Sequence, residues 1–168
     1  MRLLGDKKYY ENKQRSVVSE VEAMLEPRQV TELLRGKGFK VTPQRLAVYK
    51  VLSETTAHPN AETIYQKLQP YYPTMSLATV YKTLDILHEI GLVQVLNVGE
   101  ESFRYDANTL SHPHVRCMSC GRVDDIFDVD DTEFLQRISE KTAYQLSGKQ
   151  FYFYGICPEC QKKLKKIH

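Results

Sequence analysis

All four cysteines of this 168-residue chain stand in two Cys-x-x-Cys pairs, Cys117/Cys120 and Cys157/Cys160. A Cys-x-x-Cys turn directs two thiolates toward one point. Two such turns together can form a tetrahedral cage of four sulfur ligands, which is the coordination that structural Zn²⁺ prefers. We therefore predict one structural zinc ion in the last third of the chain.

A second group of residues suited to metal binding combines histidines with carboxylates. His112 and His114 are spaced two residues apart, so that on a strand both side chains would lie on the same face. Asp106 precedes them, and Asp125 follows the first cysteine pair. Such a mixed set suits borderline cations such as Fe²⁺, Mn²⁺, Zn²⁺ or Ni²⁺. The spacing leaves open the alternative that the two histidines are ordinary surface residues and that Asp124 and Asp125 are solvated turn residues.

The elements that would position these residues begin with a series of short helices. A helical pattern starts at Arg28 and ends at Gly36. Further helices are expected after three residues that are suited to N-capping, namely Thr42, Asn60 and Ser76. Two strand-like runs, 92–98 and 103–106, then predict a β-hairpin. Short helices followed by a hairpin predict a winged helix, in which the last helix enters the major groove of DNA.

The residues available for DNA contact fit that arrangement. The net charge is only +2, but the segment 28–50 carries six Lys or Arg residues, including Arg45, against one acidic residue. The outward face of the helix after Ser76 presents Ala78 and Thr79, which permit close approach, together with Tyr81 and Lys82, which could contact a thymine methyl group and a phosphate or guanine. The alternatives are that the basic run is a solvated helical face and that Tyr81 packs against a neighbouring helix.

The remaining chain predicts a second, smaller domain and an overall α+β fold. We place the winged-helix domain at 1–106, with an N-terminal extension at 1–27, a hinge at 107–111 and an α/β dimerisation domain at 112–168. Strands are expected at 115–117, 122–127 and 150–156, with helices at 132–142 and at the end of the chain. Fewer than 60 residues form a small core, so the zinc site would hold this domain together. The aromatic run 151–154 predicts a strand with one face on its own helix and the other against a second copy of the protein.

The bulk sequence excludes a membrane span, since no apolar run approaches the ~18 residues required. The polar start lacks the apolar core of a signal peptide, and we therefore expect a cytoplasmic protein with no membrane partner. In that compartment paired cysteines hold metal more often than they form disulfides. The charged N-terminal segment is predicted to be a tail. Four of its basic residues could touch DNA: Lys7, Lys8, Lys13 and Arg15.

The order of several motifs resembles the ferric uptake regulator (Fur) family. The motifs are Thr42-Pro-Gln-Arg, Ala57-His-Pro, Ala78-Thr-Val-Tyr, Arg104-Tyr-Asp, His112-x-His-x-x-Cys-x-x-Cys-Gly and the final Cys-x-x-Cys. The resemblance covers about 28–163 and implies a homodimeric, metal-responsive repressor of double-stranded operator DNA, not an enzyme, with a Cys₄ zinc site. It also implies a regulatory Fe²⁺ or Mn²⁺ between the domains, held by His58, Asp106, His112, His114 and Asp125.

Two departures from the iron-sensing pattern favour the peroxide-sensing branch of that family. Asp125 stands where iron sensors carry Glu, and Ser111-His-Pro-His replaces their His-His-Asp-His. The resemblance then implies that peroxide modifies His58 or His112 in the Fe²⁺ form and thereby releases DNA. An iron-responsive repressor is the alternative within the family. A Cys-x-x-Cys thiol redox enzyme or a redox-switched chaperone is the alternative from a different class.

Overall fold

A computed structural model of the protein describes residues 25–99, 102–129, 132–146 and 148–165. Residues 1–24 of the predicted N-terminal extension, with Lys7, Lys8, Lys13 and Arg15, lie outside these ranges. No helix within the described ranges is long and apolar enough to cross a membrane.

Four helices and a hairpin form the N-terminal part. They are α1 (Pro27–Gly36), α2 (Pro43–Ser53), α3 (Ala61–Leu68), α4 (Leu77–Glu89), β1 (Gln94–Leu96) and β2 (Arg104–Asp106). The two strands are antiparallel, and their register places Gln94 opposite Asp106. Helices followed by a hairpin are the winged-helix order that the sequence predicts.

Side-chain caps set the starts of three of these helices, as predicted. Thr42, Asn60 and Ser76 each accept a hydrogen bond from the backbone N–H three residues later, at 3.3, 2.9 and 3.2 Å. The first helix begins at Pro27 rather than at Arg28, because proline at the first helical position needs no hydrogen-bond partner for its nitrogen.

The inward faces of the helices form one apolar core. On α4, Val80, Leu84 and Leu87 are fully buried, while the face predicted to meet DNA is exposed. The largest fully buried side chains of this core elsewhere are Leu34, Leu52 and Ile64. This packing fixes the orientation of α4 and therefore the direction of its outward residues.

The C-terminal part contains a three-stranded sheet and two helices. Its elements are β3 (His114–Cys117), β4 (Val123–Asp125), α5 (Thr132–Thr142), β5 (Tyr152–Gly155) and α6 (Pro158–Lys165). The strand order is β4-β3-β5, with β4 antiparallel and β5 parallel to β3. His112 was expected on the same strand face as His114 but precedes β3, since Pro113 between them cannot donate a ladder hydrogen bond.

The wing of the N-terminal part contacts the C-terminal sheet. The Tyr152 hydroxyl accepts a hydrogen bond from the Asn97 N–H at 3.2 Å, and Arg116 donates to the carbonyl of Gly99 at 3.2 Å. Phe151 packs against Phe134 of α5, which confirms that one face of the aromatic strand covers its own helix. The interpretation of the other face as a contact with a second copy is wrong at Tyr152, because its hydroxyl reaches the wing of the same chain.

Candidate metal centres

The four cysteines converge at one end of the C-terminal sheet. Cys117 ends β3, Cys120 follows in the turn, and Cys157 and Cys160 lie at the start of α6. Their four sulfur atoms lie within 4.8 Å of one another, and none forms a disulfide. The Cys120 and Cys157 sulfurs are 3.8 Å apart. Tetrahedral ligands at a Zn–S distance of ~2.3 Å are separated by about 3.8 Å, so this set fits zinc.

Backbone hydrogen bonds prepare the cysteine cluster for a cation. The Cys157 N–H donates to the Cys117 sulfur at 3.3 Å. This bond and one from the Cys120 backbone lower the pKa of Cys117 to about 6, which favours the thiolate that a metal requires. Both pairs belong to one cluster, so neither lies apart from the other as a separate dithiol.

A second cluster gathers three histidines and two carboxylates. Its members are His58, Asp106, His112, His114 and Asp125, which are the five residues that the family resemblance implies. One ligand atom from each lies within 4.8 Å of all the others. The side chains are between 1% and 8% exposed, so water can hydrogen-bond to few of their polar atoms.

The imidazole nitrogens of this cluster point at the two carboxylates. Asp125 Oδ1 lies 2.7, 3.0 and 3.4 Å from the Nε2 atoms of His58, His112 and His114. Asp106 Oδ2 lies 3.7, 3.4 and 3.7 Å from the same three atoms. Three nitrogens and two oxygens thus surround one small volume, and this donor set suits Fe²⁺ or Mn²⁺.

Two buried nitrogen atoms support a metal in that volume. Nε2 of His58 and Nε2 of His114 make no hydrogen bond of acceptable geometry, despite the nearby oxygens. The opposite ring nitrogens of His58 and His112 face the carbonyl oxygens of Val123 and Leu110, at 3.3 and 2.8 Å. An N–H donated to a carbonyl on one side of the ring leaves the Nε2 lone pair free for a cation, and the residues therefore fit the implied metal.

The carboxylates of the cluster shift the pKa values of His58 and His112. Burial acts to lower these pKa values, but the Asp106 and Asp125 carboxylates, 2.7–3.7 Å from the two Nε2 atoms, outweigh burial and raise them to about 9 and about 10. Burial likewise acts to raise the pKa of Asp125, yet the histidines lower it to about 2, and they hold the pKa of Asp106 far below its usual value. Protons therefore compete with a metal for the imidazoles.

The cluster joins the two parts of the chain. His58 precedes α3 and Asp106 ends β2, whereas Asp125 ends β4 of the C-terminal sheet. His58 adopts a φ of +47°, a left-handed conformation that is uncommon for a non-glycine residue. The Arg104 guanidinium donates to the carbonyls of His58 and Gly121 at 3.4 Å each, so it links the cluster to the cysteine turn.

The residues predicted to contact DNA lie mostly on one helix face. Ala78, Thr79, Tyr81 and Lys82 are exposed on α4. The Tyr81 hydroxyl also donates to Glu62 of α3 at 2.6 Å, so the alternative of a contact with a neighbouring helix is realised while the ring stays 37% exposed. Arg45 lies on α2, where its guanidinium donates to the Lys40 carbonyl.

One residue beside the metal cluster, Gln94, was not predicted from the sequence. Gln94 donates its side-chain amide to Asp106 Oδ2 at 2.9 Å. The only sequence signal is its place opposite Asp106 across the predicted hairpin, and that register becomes visible only when the hairpin's pairing is known.

Comparison with known proteins places this geometry in context. The family model described as "Ferric uptake regulator family" matches residues 36–154. The transcriptional regulator PerR of Clostridium acetobutylicum is 52% identical over 134 residues, which are 80% of this chain and 97% of that protein. The peroxide-responsive repressor PerR of Staphylococcus aureus is 37% identical over 131 residues, 77% of this chain and 88% of that protein. The crystal structure of the Campylobacter jejuni peroxide stress regulator superimposes with a TM-score of 0.62 at 34% identity, covering 81% of this chain and 100% of that one.

These matches agree with both metal clusters and with the order of a winged helix followed by an α/β domain. As the motifs predicted, relatives at 52% and 37% identity are PerR proteins. The chain belongs to the ferric uptake regulator family.

Proposed function

We propose that the protein is a cytoplasmic, metal-dependent transcriptional repressor that binds operator DNA as a homodimer and releases it in response to peroxide. The observation that carries the proposal is the buried cluster of three histidines and two aspartates that joins the winged helix to the C-terminal sheet. The names of the PerR relatives support the same reading.

The regulatory site acts as a clamp between the two parts of the chain. Residues of the winged-helix part, His58 and Asp106, face Asp125 of the C-terminal sheet across the cluster. A cation that needs ligands from both sides binds only one relative arrangement of the two parts. Such a ligand shifts the population toward that arrangement in proportion to its differential affinity, and this would set the spacing of the two α4 helices in a dimer.

Peroxide sensing follows from the ligand count and from the nature of the ligands. These five side chains would hold the ion from the protein's side and would leave part of its coordination sphere open. When bound, Fe²⁺ supplies the redox chemistry that activates H₂O₂, and Mn²⁺ does not. In the net reaction one oxygen atom of H₂O₂ enters the imidazole of His58 or His112, which loses two electrons, and the other oxygen leaves as water. An oxidised His58 would no longer hold the winged-helix part against Asp125.

The DNA and dimer surfaces follow from exposure and charge. The exposed face of α4, with Tyr81 and Lys82, would enter the major groove. In the C-terminal part, Phe134, Phe153 and Leu164 are 50%, 51% and 51% exposed. We assign these exposed apolar side chains to the contact with the second copy, which would cover them.

The test exchanges Asp125 for Glu and uses Asp124→Glu as the matched control. Asp124 is the adjacent residue on β4, and it pairs with Arg122 at 2.9 Å instead of joining the metal cluster. Asp125→Glu should keep metal-dependent operator binding but blunt peroxide-induced release, because the longer side chain would crowd the open side of a bound ion. Asp124→Glu should release DNA like the wild type. Fluorescence anisotropy of labelled operator during peroxide titration measures both variants. If neither the wild type nor Asp125→Glu releases the operator under peroxide, the iron-responsive alternative is favoured. Equal release from both would contradict the role assigned to Asp125.

A further inference from the structure

We propose that Gln94 is a positioning residue for the regulatory metal, because its side-chain amide fixes the metal-facing oxygen of Asp106 and ties it to the hinge between the two parts of the chain. The inference rests on the metal site of the proposed function. It adds to that site a residue that hydrogen-bonds to a metal ligand instead of binding the metal itself.

The amide of Gln94 makes two hydrogen bonds at the cluster. Its Nε2 donates to Asp106 Oδ2 at 2.9 Å and to the Asn108 carbonyl at 2.5 Å. A side-chain amide nitrogen carries two hydrogens, so both bonds form at once. Asp106 Oδ2 is the oxygen that faces the three imidazoles, and Oδ1 accepts the Asn108 N–H at 2.8 Å. Both oxygens of this carboxylate are therefore held.

The hairpin register places Gln94 where it can do this. Gln94 and Asp106 are directly opposed on β1 and β2, and opposed residues of antiparallel strands project from the same face of the sheet. Asp106 is 5% exposed and Gln94 is half-buried. A donor to a buried carboxylate makes a charge-assisted bond that solvent replaces poorly.

Removing this donor should weaken the metal site more than the fold. Outer residues that hydrogen-bond to metal ligands typically contribute 10–100-fold to metal affinity. Without Gln94, Asp106 Oδ2 loses its donor and the Asn108 carbonyl in the hinge loses its partner. Metal binding then has to order both groups, so a higher metal concentration is required for the same occupancy.

The experiment compares Gln94→Met with Gln150→Met in the full-length, zinc-loaded protein. Methionine keeps the length of the side chain but has no amide to donate. Gln150 is the matched control, because its Nε2 also donates a hydrogen bond to β1, at the Val95 carbonyl 3.3 Å away. Unlike Gln94, it forms no hydrogen bond to any of the five cluster residues. Gln94→Leu repeats the removal with a different shape, so that a folding defect in one variant does not decide the result.

We expect Mn²⁺ affinity, measured by calorimetric titration, to fall about 10–100-fold in both Gln94 variants and to stay at the wild-type value in Gln150→Met. The metal-free variants should still unfold cooperatively and keep their zinc, with a melting temperature lowered by no more than the loss of two hydrogen bonds explains. A fall of less than about tenfold would overturn the positioning role. An equal loss in Gln150→Met, or a melting temperature that falls in parallel with affinity, would overturn it in favour of a purely structural role. If His112→Ala binds Mn²⁺ as tightly as wild type, the proposed metal site itself is wrong and the inference falls with it.

Discussion

Replacing Cys120 by serine should unfold the C-terminal part of the protein, because zinc contributes most of its folding free energy. Among the described residues of 112–165, the buried apolar side chains are Val123 and three of the cysteines. Burying one valine contributes about 1.5–3 kcal/mol, whereas structural zinc contributes about 10–16 kcal/mol. A domain of fewer than 60 residues typically has a free energy of unfolding of roughly 3–9 kcal/mol. The metal contribution therefore exceeds the whole stability of this part.

Cys120 is the informative ligand to change, since it is the exposed member of the cluster and serine adds no buried polar group there. Met118→Ser is the matched control, because Met118 lies in the same turn, is 57% exposed and is not a ligand. Zinc content, far-ultraviolet circular dichroism and sedimentation should show loss of zinc, of C-terminal secondary structure and of the dimer in Cys120→Ser only. A zinc-free Cys120→Ser dimer with full secondary structure would refute the reasoning.

Two further predictions concern the salt dependence of DNA binding and the release of protons on metal binding. Lys82→Ala should lower the slope of log affinity against log salt for operator binding by about one unit, because one phosphate contact is lost, and an unchanged slope would place the recognition surface elsewhere. Binding of Mn²⁺ at pH 7 should release roughly two protons, since the metal-free pKa values of His58 and His112 are raised to about 9 and about 10 while a metal needs neutral imidazole. Metal affinity should therefore rise with pH up to about 10. Calorimetry in buffers of different ionisation enthalpy measures the proton release. If no protons are released at pH 7, the ion-paired cluster is contradicted.

The helices were predictable because their signals are local. Thr42, Asn60 and Ser76 each cap the helix that follows, and the outward residues predicted on α4 are exposed in the structure. Four of the five strands described in the structure were predicted too long, whereas β3 begins one residue earlier than predicted. An apolar run such as 150–156 continues beyond the residues that find a ladder partner, and β5 is limited to the four residues that pair with β3.

The two metal clusters differ in how far the sequence could predict them. Local Cys-x-x-Cys spacing was sufficient for the zinc cluster. His58 is far apart in sequence from the other four ligands, and it entered through family resemblance because no local pattern joins it to them. Gln94 could not be found, since its role depends on strand register. Tyr152 was misjudged because an aromatic pattern does not distinguish contact with the wing from contact with a second copy.

Peptide mass mapping of the Fe²⁺-loaded and Mn²⁺-loaded proteins after dilute H₂O₂ tests the central claim most directly. The site geometry predicts one added oxygen atom on His58 or His112 in the Fe²⁺ form only, with operator binding lost in proportion to that modification. The Mn²⁺ form should stay unmodified and bound to DNA. An Fe²⁺ form that keeps its histidines unmodified and its operator bound under the same treatment would contradict peroxide sensing and favour an iron-responsive repressor.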